Sequence, residues 1–276
     1  MGGTPRAEAL RVITIANQKG GVGKTTTAIN LATALAAVGE RVIIIDSDSQ
    51  GNASTGVGIT LGERELTTYD VLAGSASLLQ AMRPTRVPDL YIVPANSDLV
   101  GFEADHLTDR NRAFRLRDAL SELHAVQSRL EPEERFSYVL IDCPPSLNLL
   151  TLNAMVASHA VLVPVQCEFF ALEGISQLNE TISEVRAALN PDLEIQGVVL
   201  TMHDAATNLT KEVEAEVRGV FGNKVYKTVI PRNIRVAEAP SHGQPILLYD
   251  YGCKGSQAYV RLATEIIERE SNQAAA

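Results

Sequence analysis

Short runs of β-branched and aliphatic residues alternate along this chain with longer stretches of helical spacing. The runs cover residues 11–16 (RVITIA), 41–45 (RVIII), 91–93, 138–141 (YVLI), 160–165 (AVLVPV) and 195–200 (IQGVVL), and each has the length and composition of a buried strand. Between them, residues 25–38, 112–129, 172–189, 210–220 and 257–270 carry helical patterns long enough to lead from one parallel strand to the next. The pattern predicts a doubly wound α/β fold, a mostly parallel sheet flanked by helices. Residues 51–88 hold fewer long apolar runs and read as loops and short helices covering one end of the sheet. No Pro/Gly/Ser-rich linker and no internal repeat interrupts this rhythm. The expected organisation is an arm over 1–10, one domain over 11–270 and a low-complexity tail over 271–276 (SNQAAA).

Composition narrows the compartment. The first twenty residues lack the basic and then apolar character of a leader, and no long uncharged apolar run follows, so neither secretion nor a membrane-spanning helix is expected. Cys143, Cys167 and Cys253 form no CxxC pair, which excludes a disulfide framework and an iron–sulfur site and points to a reducing cytoplasm. The five histidines are dispersed without HxH or HxxxH spacing, so a histidine-built metal site is not expected; His124 and His159 belong on helix surfaces or in loops. A net charge of −9 argues against a surface wrapped wholly in nucleic acid and leaves room for a local basic face.

The chemistry begins where the first strand ends, in Asn17-Gln18-Lys19-Gly20-Gly21-Val22-Gly23-Lys24-Thr25-Thr26. A glycine-rich turn between a strand and a helix lets backbone N–H groups close around a phosphate, with the positive end of the helix behind them. Lys24 is placed to reach the β- and γ-phosphates, and the Thr25 hydroxyl to take Mg²⁺. The usual template asks for glycine at position 18, where Gln18 stands. The alternative is a glycine-rich connector with a solvated lysine. Further on, Tyr138-Val139-Leu140-Ile141-Asp142-Cys143-Pro144-Pro145 is an apolar strand ending in an aspartate. It suits a Walker B element whose Asp142 holds a Mg²⁺-bound water beside a stiff Pro-Pro loop, although a strand-ending aspartate also serves as a plain cap.

The extra lysine in KGGVGKTT resembles the deviant Walker A motif of the ParA/MinD family of ATPases. The resemblance implies that Lys19 crosses an ATP-sandwich dimer to the partner's phosphates, so that Lys19, Gly20, Gly21, Val22, Gly23, Lys24, Thr25 and Thr26 form the nucleotide cradle. Asp46-Ser47-Asp48-Ser49-Gln50-Gly51-Asn52 is similar to the family's D-x-D-P-Q-G-N switch, which implies that Asp48 positions the attacking water and Asp46 supports the Mg²⁺ region. In isolation these two carboxylates read as turn formers. Ser49 stands where the family has proline, leaving the loop less preset.

Residues 166–174 (QCEFFALEG) and 229–241 (VIPRNIRVAEAPS) look like chromosomal ParA proteins of the Soj type, extending the resemblance over roughly residues 10–270. It implies that Pro231 and Asn233 lie at the base and ribose, and a Pro-containing turn has a structural reading as well. Such ATPases bind DNA without sequence preference as ATP-loaded dimers. Residues 207–261 carry eight basic side chains against five acidic ones, a modest segregation that suits a phosphate-contacting face or a merely solvated surface. Arg232 and Arg235 are the preferred contacts, followed by Arg218, Lys224 and Lys227; the arginine that relatives often carry in the 201–209 segment is Ala206 here. Residues 259–270 (YVRLATEIIERE) are too acidic for a membrane anchor of the MinD kind.

The resemblance therefore implies a cytoplasmic, nucleoid-associated ATPase using ATP and Mg²⁺. It would form an ATP-dependent homodimer on non-specific double-stranded DNA, be released by hydrolysis that a ParB-type centromere-binding protein stimulates, and so segregate the chromosome. Two alternatives stay open: a related positioning ATPase for a protein cargo such as a chemotaxis cluster, and a metabolic enzyme that phosphorylates or amidates a small molecule.

Overall fold

The computed structural model describes residues 10–168 and 171–274, the side chains of 171–173 and 273–274 excepted. The arm over 1–10, save Leu10, Phe169 and Phe170 of the 166–174 segment, and the last two residues of the 271–276 tail lie outside the described residues.

Among the described residues seven strands form one sheet in the order β3-β4-β2-β5-β1-β6-β7. They are β1 Arg11–Ile15, β2 Val42–Asp46, β3 Arg83–Pro84, β4 Leu90–Val93, β5 Tyr138–Asp142, β6 Ala160–Gln166 and β7 Glu194–Thr201. All pair in parallel except β3, a two-residue antiparallel edge against β4. The sequence pattern misses β3 because it is too short for periodicity, and its Pro84 is tolerated only at an edge. Six longer helices accompany the sheet: α1 Lys24–Ala37, α2 Arg115–Gln127, α3 Leu149–Ala157, α4 Ala171–Ala188, α5 Asn208–Phe221 and α6 Lys254–Ala274. Helix α3 has no counterpart among the predicted stretches. Helix α6 starts before residue 257, with Gly255 in its first turn, and continues through residues 271–274, where no Gly or Pro interrupts the polar stretch.

Successive residues of each strand face opposite layers. Ile13, Ile15, Val42, Ile44, Tyr138 and Leu140 pack with α1 and α6 on one side, whereas Val12, Ile43, Ile45, Val139 and Ile141 pack with α2, α3, α4 and α5 on the other. The 51–88 region is built from short helices that include Asn52–Gly56, Thr68–Ala73 and Leu78–Ala81, the last two opened by capping boxes, Thr67 with Asp70 and Ser77 with Gln80. Its Val71, Leu72, Leu78 and Ala81 join the second core. Among the described residues no helix is long and apolar enough to cross a membrane. His124 lies on the surface of α2 and His159 in an exposed bend, as expected.

The parallel register sets up the site. Ile15 and Asp46 both lie opposite Asp142, so the ends of β1, β2 and β5 are level. Asp46 and Asp142 share the parity of Ile44 and Leu140, and the pleat turns both carboxylates toward the α1 side.

Candidate nucleotide site

The loop from β1 to α1 is pinned at its start. Buried Asn17 donates through Nδ2 to the Pro164 carbonyl (2.8 Å) and accepts the Lys19 amide on Oδ1 (3.0 Å). Gly21 and Gly23 hold φ of 76° and 88°, left-handed values that a side chain would strain. Gly23 is the N-cap of α1, and that helix has neither a side-chain cap nor an acidic residue in its first turn. Its first N–H groups and positive end are thus left for an anion. Lys24 is 7% exposed and reaches back to the Lys19 carbonyl (3.1 Å). Burial lowers the Lys24 ammonium from its ordinary value, opposed by the charges at Asp142, Cys143 and Asp48.

The carboxylates differ sharply in their surroundings. Asp46 is fully buried; its Oδ2 accepts the Ser54 hydroxyl (2.6 Å) and amide (2.8 Å), and its Oδ1 accepts the Asp48 amide (3.3 Å). Burial still pushes its carboxyl up to about 6, against those hydrogen bonds. Asp142 is also fully buried, and among the described residues neither of its carboxylate oxygens has a hydrogen-bond partner. Burial raises its carboxyl well above the ordinary range, Asp46 and Asp48 add to the rise, and Thr25 and Lys24 oppose it. An interior carboxylate without donors is costly unless a cation meets it. Asp142, with the Thr25 hydroxyl nearby, is the hard oxygen donor set that Mg²⁺ takes together with phosphates and waters. Among the described residues no group of three or more His, Cys, Asp or Glu is arranged to cage a metal by itself.

These elements surround a cleft of about 730 Å³. Gly20, Gly21, Gly23, Lys24, Thr25 and Thr26 form one wall, and Asp48 and the Pro144-Pro145 loop stand on the others. Val22, by contrast, turns into the interior at 1% exposure, its carbonyl accepting the Thr201 hydroxyl (2.8 Å). Asp46 sits behind the wall, held by Ser54. Lys19 forms an ion pair with Glu168 (2.9 Å). An apolar cavity of about 370 Å³ adjoins the cleft, sharing Gly23, Thr26 and Met202, and both Pro231 and Asn233 line it. Asn233 also caps the short helix Ile234–Glu238 by accepting the Arg235 amide (2.8 Å). The sequence pattern does not single out Ser54, Glu168 or Met202. A lone serine or glutamate gives no signal, but Glu168 lies inside the family-like 166–174 segment and was findable.

The five basic candidates do not converge. Arg218 is engaged by Glu214 (2.8 Å) and the Tyr226 carbonyl (3.1 Å), and Lys224 by the Ile195 carbonyl (2.8 Å) near the start of β7. Arg232 stands beyond the other end of β7, its amide on the His203 carbonyl (3.1 Å), roughly 25 Å from Lys224 along the strand. It is exposed and lines an open groove of about 770 Å³ with Lys254 and Arg261. Lys227 is exposed. Arg235 is exposed beside Glu238 (3.2 Å) and Asp250 (3.9 Å).

Residues 10–195 match the family model described as AAA domain. The chromosome partitioning protein ParA of Caulobacter vibrioides is 58% identical over 269 residues, 98% of either chain. The sporulation initiation inhibitor protein Soj of Bacillus subtilis is 48% identical over 256 residues, 93% of this chain and 98% of that one. Among solved structures, cobyrinic acid a,c-diamide synthase from Mycobacterium smegmatis with bound ADP and magnesium superimposes with a TM-score of 0.81 at 34% identity, covering 95% of this chain and 96% of that one.

Proposed function

The chain belongs to the ParA/Soj family of chromosome-partitioning ATPases, and from that premise we propose that it is an ATP-driven switch that rides DNA. The observation that carries the nucleotide half of this reading is Asp142, a wholly buried carboxylate with no hydrogen bond to either oxygen among the described residues, level with Asp46 on the neighbouring strand and, like it, behind the lining of the glycine-walled cleft. The backbone amides of residues 20–26 and the uncapped start of α1 take the triphosphate. Lys24, and Lys19 reaching across an ATP-bound homodimer, neutralise the transferred phosphoryl group. Mg²⁺ supplies further neutralisation of phosphate charge when bound, and Thr25, Asp142 through a water, and Asp46 in support would hold it. Asp48 orients the attacking water, and the apolar cavity with Pro231 and Asn233 takes the base.

In the ATP-bound dimer, exposed Arg232, Arg235 and Lys227 contact the phosphates of double-stranded DNA without reading sequence. Hydrolysis, stimulated by a ParB-type partner, releases the dimer from the nucleoid in the cytoplasm. The committed internal bonds of Arg218 and Lys224 make them weaker contacts.

The test is binding to a non-specific duplex at several salt concentrations, with ADP and with ATP, using Asp48→Ala to hold the ATP state and Arg235→Glu as control. Binding that needs ATP, weakens steeply with salt and disappears in Arg235→Glu is the expected result. Absence of DNA binding in every nucleotide state refutes it and directs the search to a protein cargo. Turnover that rises with a small metabolite would favour the small-molecule enzyme instead.

A further inference from the structure

Under the turn that carries Asp48 lies a charge that the nucleotide chemistry leaves unused. Arg64 is 7% exposed and does not line the cleft. Among the described residues its four hydrogen bonds all run to neutral oxygens. Nε and Nη2 donate to the Ile59 carbonyl (3.3 and 3.0 Å), Nη2 to Thr55 Oγ1 (2.8 Å) and Nη1 to the Ala95 carbonyl (2.8 Å). A capping box between Thr60 and Glu63 fixes the turn just before it, the Thr60 amide donating to Glu63 at 2.8 Å. A buried guanidinium spent on carbonyls is expensive, so its placement calls for a reason.

Two of its three partners, Thr55 and Ala95, lead to the Asp48 turn and to Asp46. Thr55 Oγ1 donates to the Gly51 carbonyl (3.1 Å) while accepting from Arg64. The Gly51 amide closes the turn on the Asp48 carbonyl (2.9 Å), and the Gln50 amide donates to Asp48 Oδ1 (3.0 Å). Gly51 has φ +61°, and a Cβ there would run into the guanidinium and lie 2.9 Å from the Ala95 carbonyl. On its other arm, Ala95 donates through its amide to Ser54 Oγ (3.0 Å), the hydroxyl that holds Asp46. One cation thus clamps both the turn bearing Asp48 and the donor to Asp46. Ser49, where a proline would fix φ, makes no hydrogen bond through its amide among the described residues.

We propose that Arg64 is a positioning residue for ATP hydrolysis, a buried clamp that presets the Asp48 turn in place of the rigidity a proline at position 49 supplies. The inference rests on the reading that Asp48 orients the attacking water.

The experiment is a double-mutant cycle on the full-length protein, Arg64→Met with Ser49→Pro, measuring single-turnover hydrolysis and, separately, the Kd of a fluorescent ATP analogue. Arg64→Met is expected to slow hydrolysis roughly tenfold or more, as a misplaced catalytic group does, with the nucleotide Kd held within about twofold. In the Ser49→Pro background the same substitution is expected to cost less than about threefold, because the proline presets the turn. An equal loss in both backgrounds, a Kd that moves in step with the rate, or an unchanged rate each overturns the proposal. If Arg64→Met does not fold, Arg64→Lys, which keeps the charge with fewer donors, goes through the same cycle under the same criteria. Asp48→Ala in the same assay separates the two readings: hydrolysis that survives it refutes the role of Asp48, whatever Arg64 does.

Discussion

Deleting one oxygen, in Ser54→Ala, tests how the carboxylate end of the site is anchored. Ser54 is fully buried, and its hydroxyl donates to Asp46 Oδ2 at 2.6 Å while accepting the Ala95 amide at 3.0 Å. The variant keeps the Ser54 backbone bond to Asp46 and loses both hydroxyl bonds. A hydrogen bond to an ionised group is worth about 1.5–3 kcal/mol, and a buried amide left without an acceptor costs about 1–3 kcal/mol. With partial relaxation of the loop, the expected loss is about 3 kcal/mol, a fall in Tm of roughly 6–12 °C for a chain of this size. Thermal and urea unfolding of the nucleotide-free protein measure it. Ser121→Ala, which removes an exposed hydroxyl bonded to the Arg117 carbonyl (2.9 Å), is the control and should move stability by no more than about 0.5 kcal/mol. A loss for Ser54→Ala below about 1 kcal/mol refutes the reasoning, because water would then be replacing bonds taken here to be sealed.

Asp142→Asn removes a buried carboxyl that burial and the like charges at Asp46 and Asp48 disfavour as an anion, so the free protein should lose no stability or gain some, while the rise in Tm on adding ATP and Mg²⁺ disappears; a strongly destabilised free protein would count against it. Gly197→Ala places a Cβ 2.5 Å from Tyr226 Cε2 and 2.8 Å from the Lys224 carbonyl, and should cost about 1–3 kcal/mol by overpacking, read from urea midpoints. Burial works to raise the Glu265 carboxyl, but the Lys227 and Thr228 amides, the Thr228 side chain and Arg269 outweigh it and hold it below the ordinary range. A depressed carboxyl adds stability above its unfolded pKa and loses it as pH falls through the folded one. Glu265→Gln should therefore destabilise at pH 7, and the gap to wild type should close below about pH 4.

The fold was legible because its strands are nearly pure aliphatic runs, which no helix period imitates, and because the phosphate loop sits between a strand and a helix that are both unmistakable. Lys24, Thr25, Asp48 and the Pro144-Pro145 loop could be placed by order along the chain, since parallel strands deliver their carboxyl ends to one edge. What order cannot give is orientation within the turn. Val22 belongs to the glycine-rich motif and still faces the interior, and Asp46 belongs to the switch-like segment and still sits behind the cleft wall. The basic residues were the least legible. Charge counts treat Arg218 and Lys224 as equal to Arg232, while a carbonyl or carboxylate acceptor a few ångströms away decides whether a cation is free to meet a phosphate.

The strand register explains why so much compensation gathers at this site. The apolar residues that precede Asp46 and Asp142 are fixed in the core, so neither strand can slip by one residue without turning its whole face outward. Both carboxylates are thus forced to the same side of neighbouring strands, where rotation cannot part them and water does not reach. The chain answers with Lys24 from α1, Ser54 from the short helix after the Asp48 turn, and Arg64 from the loop beyond it, and each answer is incomplete. Asp46 remains raised to about 6, and among the described residues neither Asp142 oxygen is hydrogen-bonded, with Thr25 and Lys24 only partly offsetting its burial. A site with that imbalance gains most from a ligand that brings its own cation, so ATP with Mg²⁺ should stabilise the folded chain steeply through linkage. Because the three compensating side chains stand on three different segments, that relief is felt along the whole rim of the cleft. The P-loop and the Asp48 turn should consequently protect their amides from exchange together when nucleotide binds, and protection confined to the P-loop would show that the carboxylate pair is not what couples them.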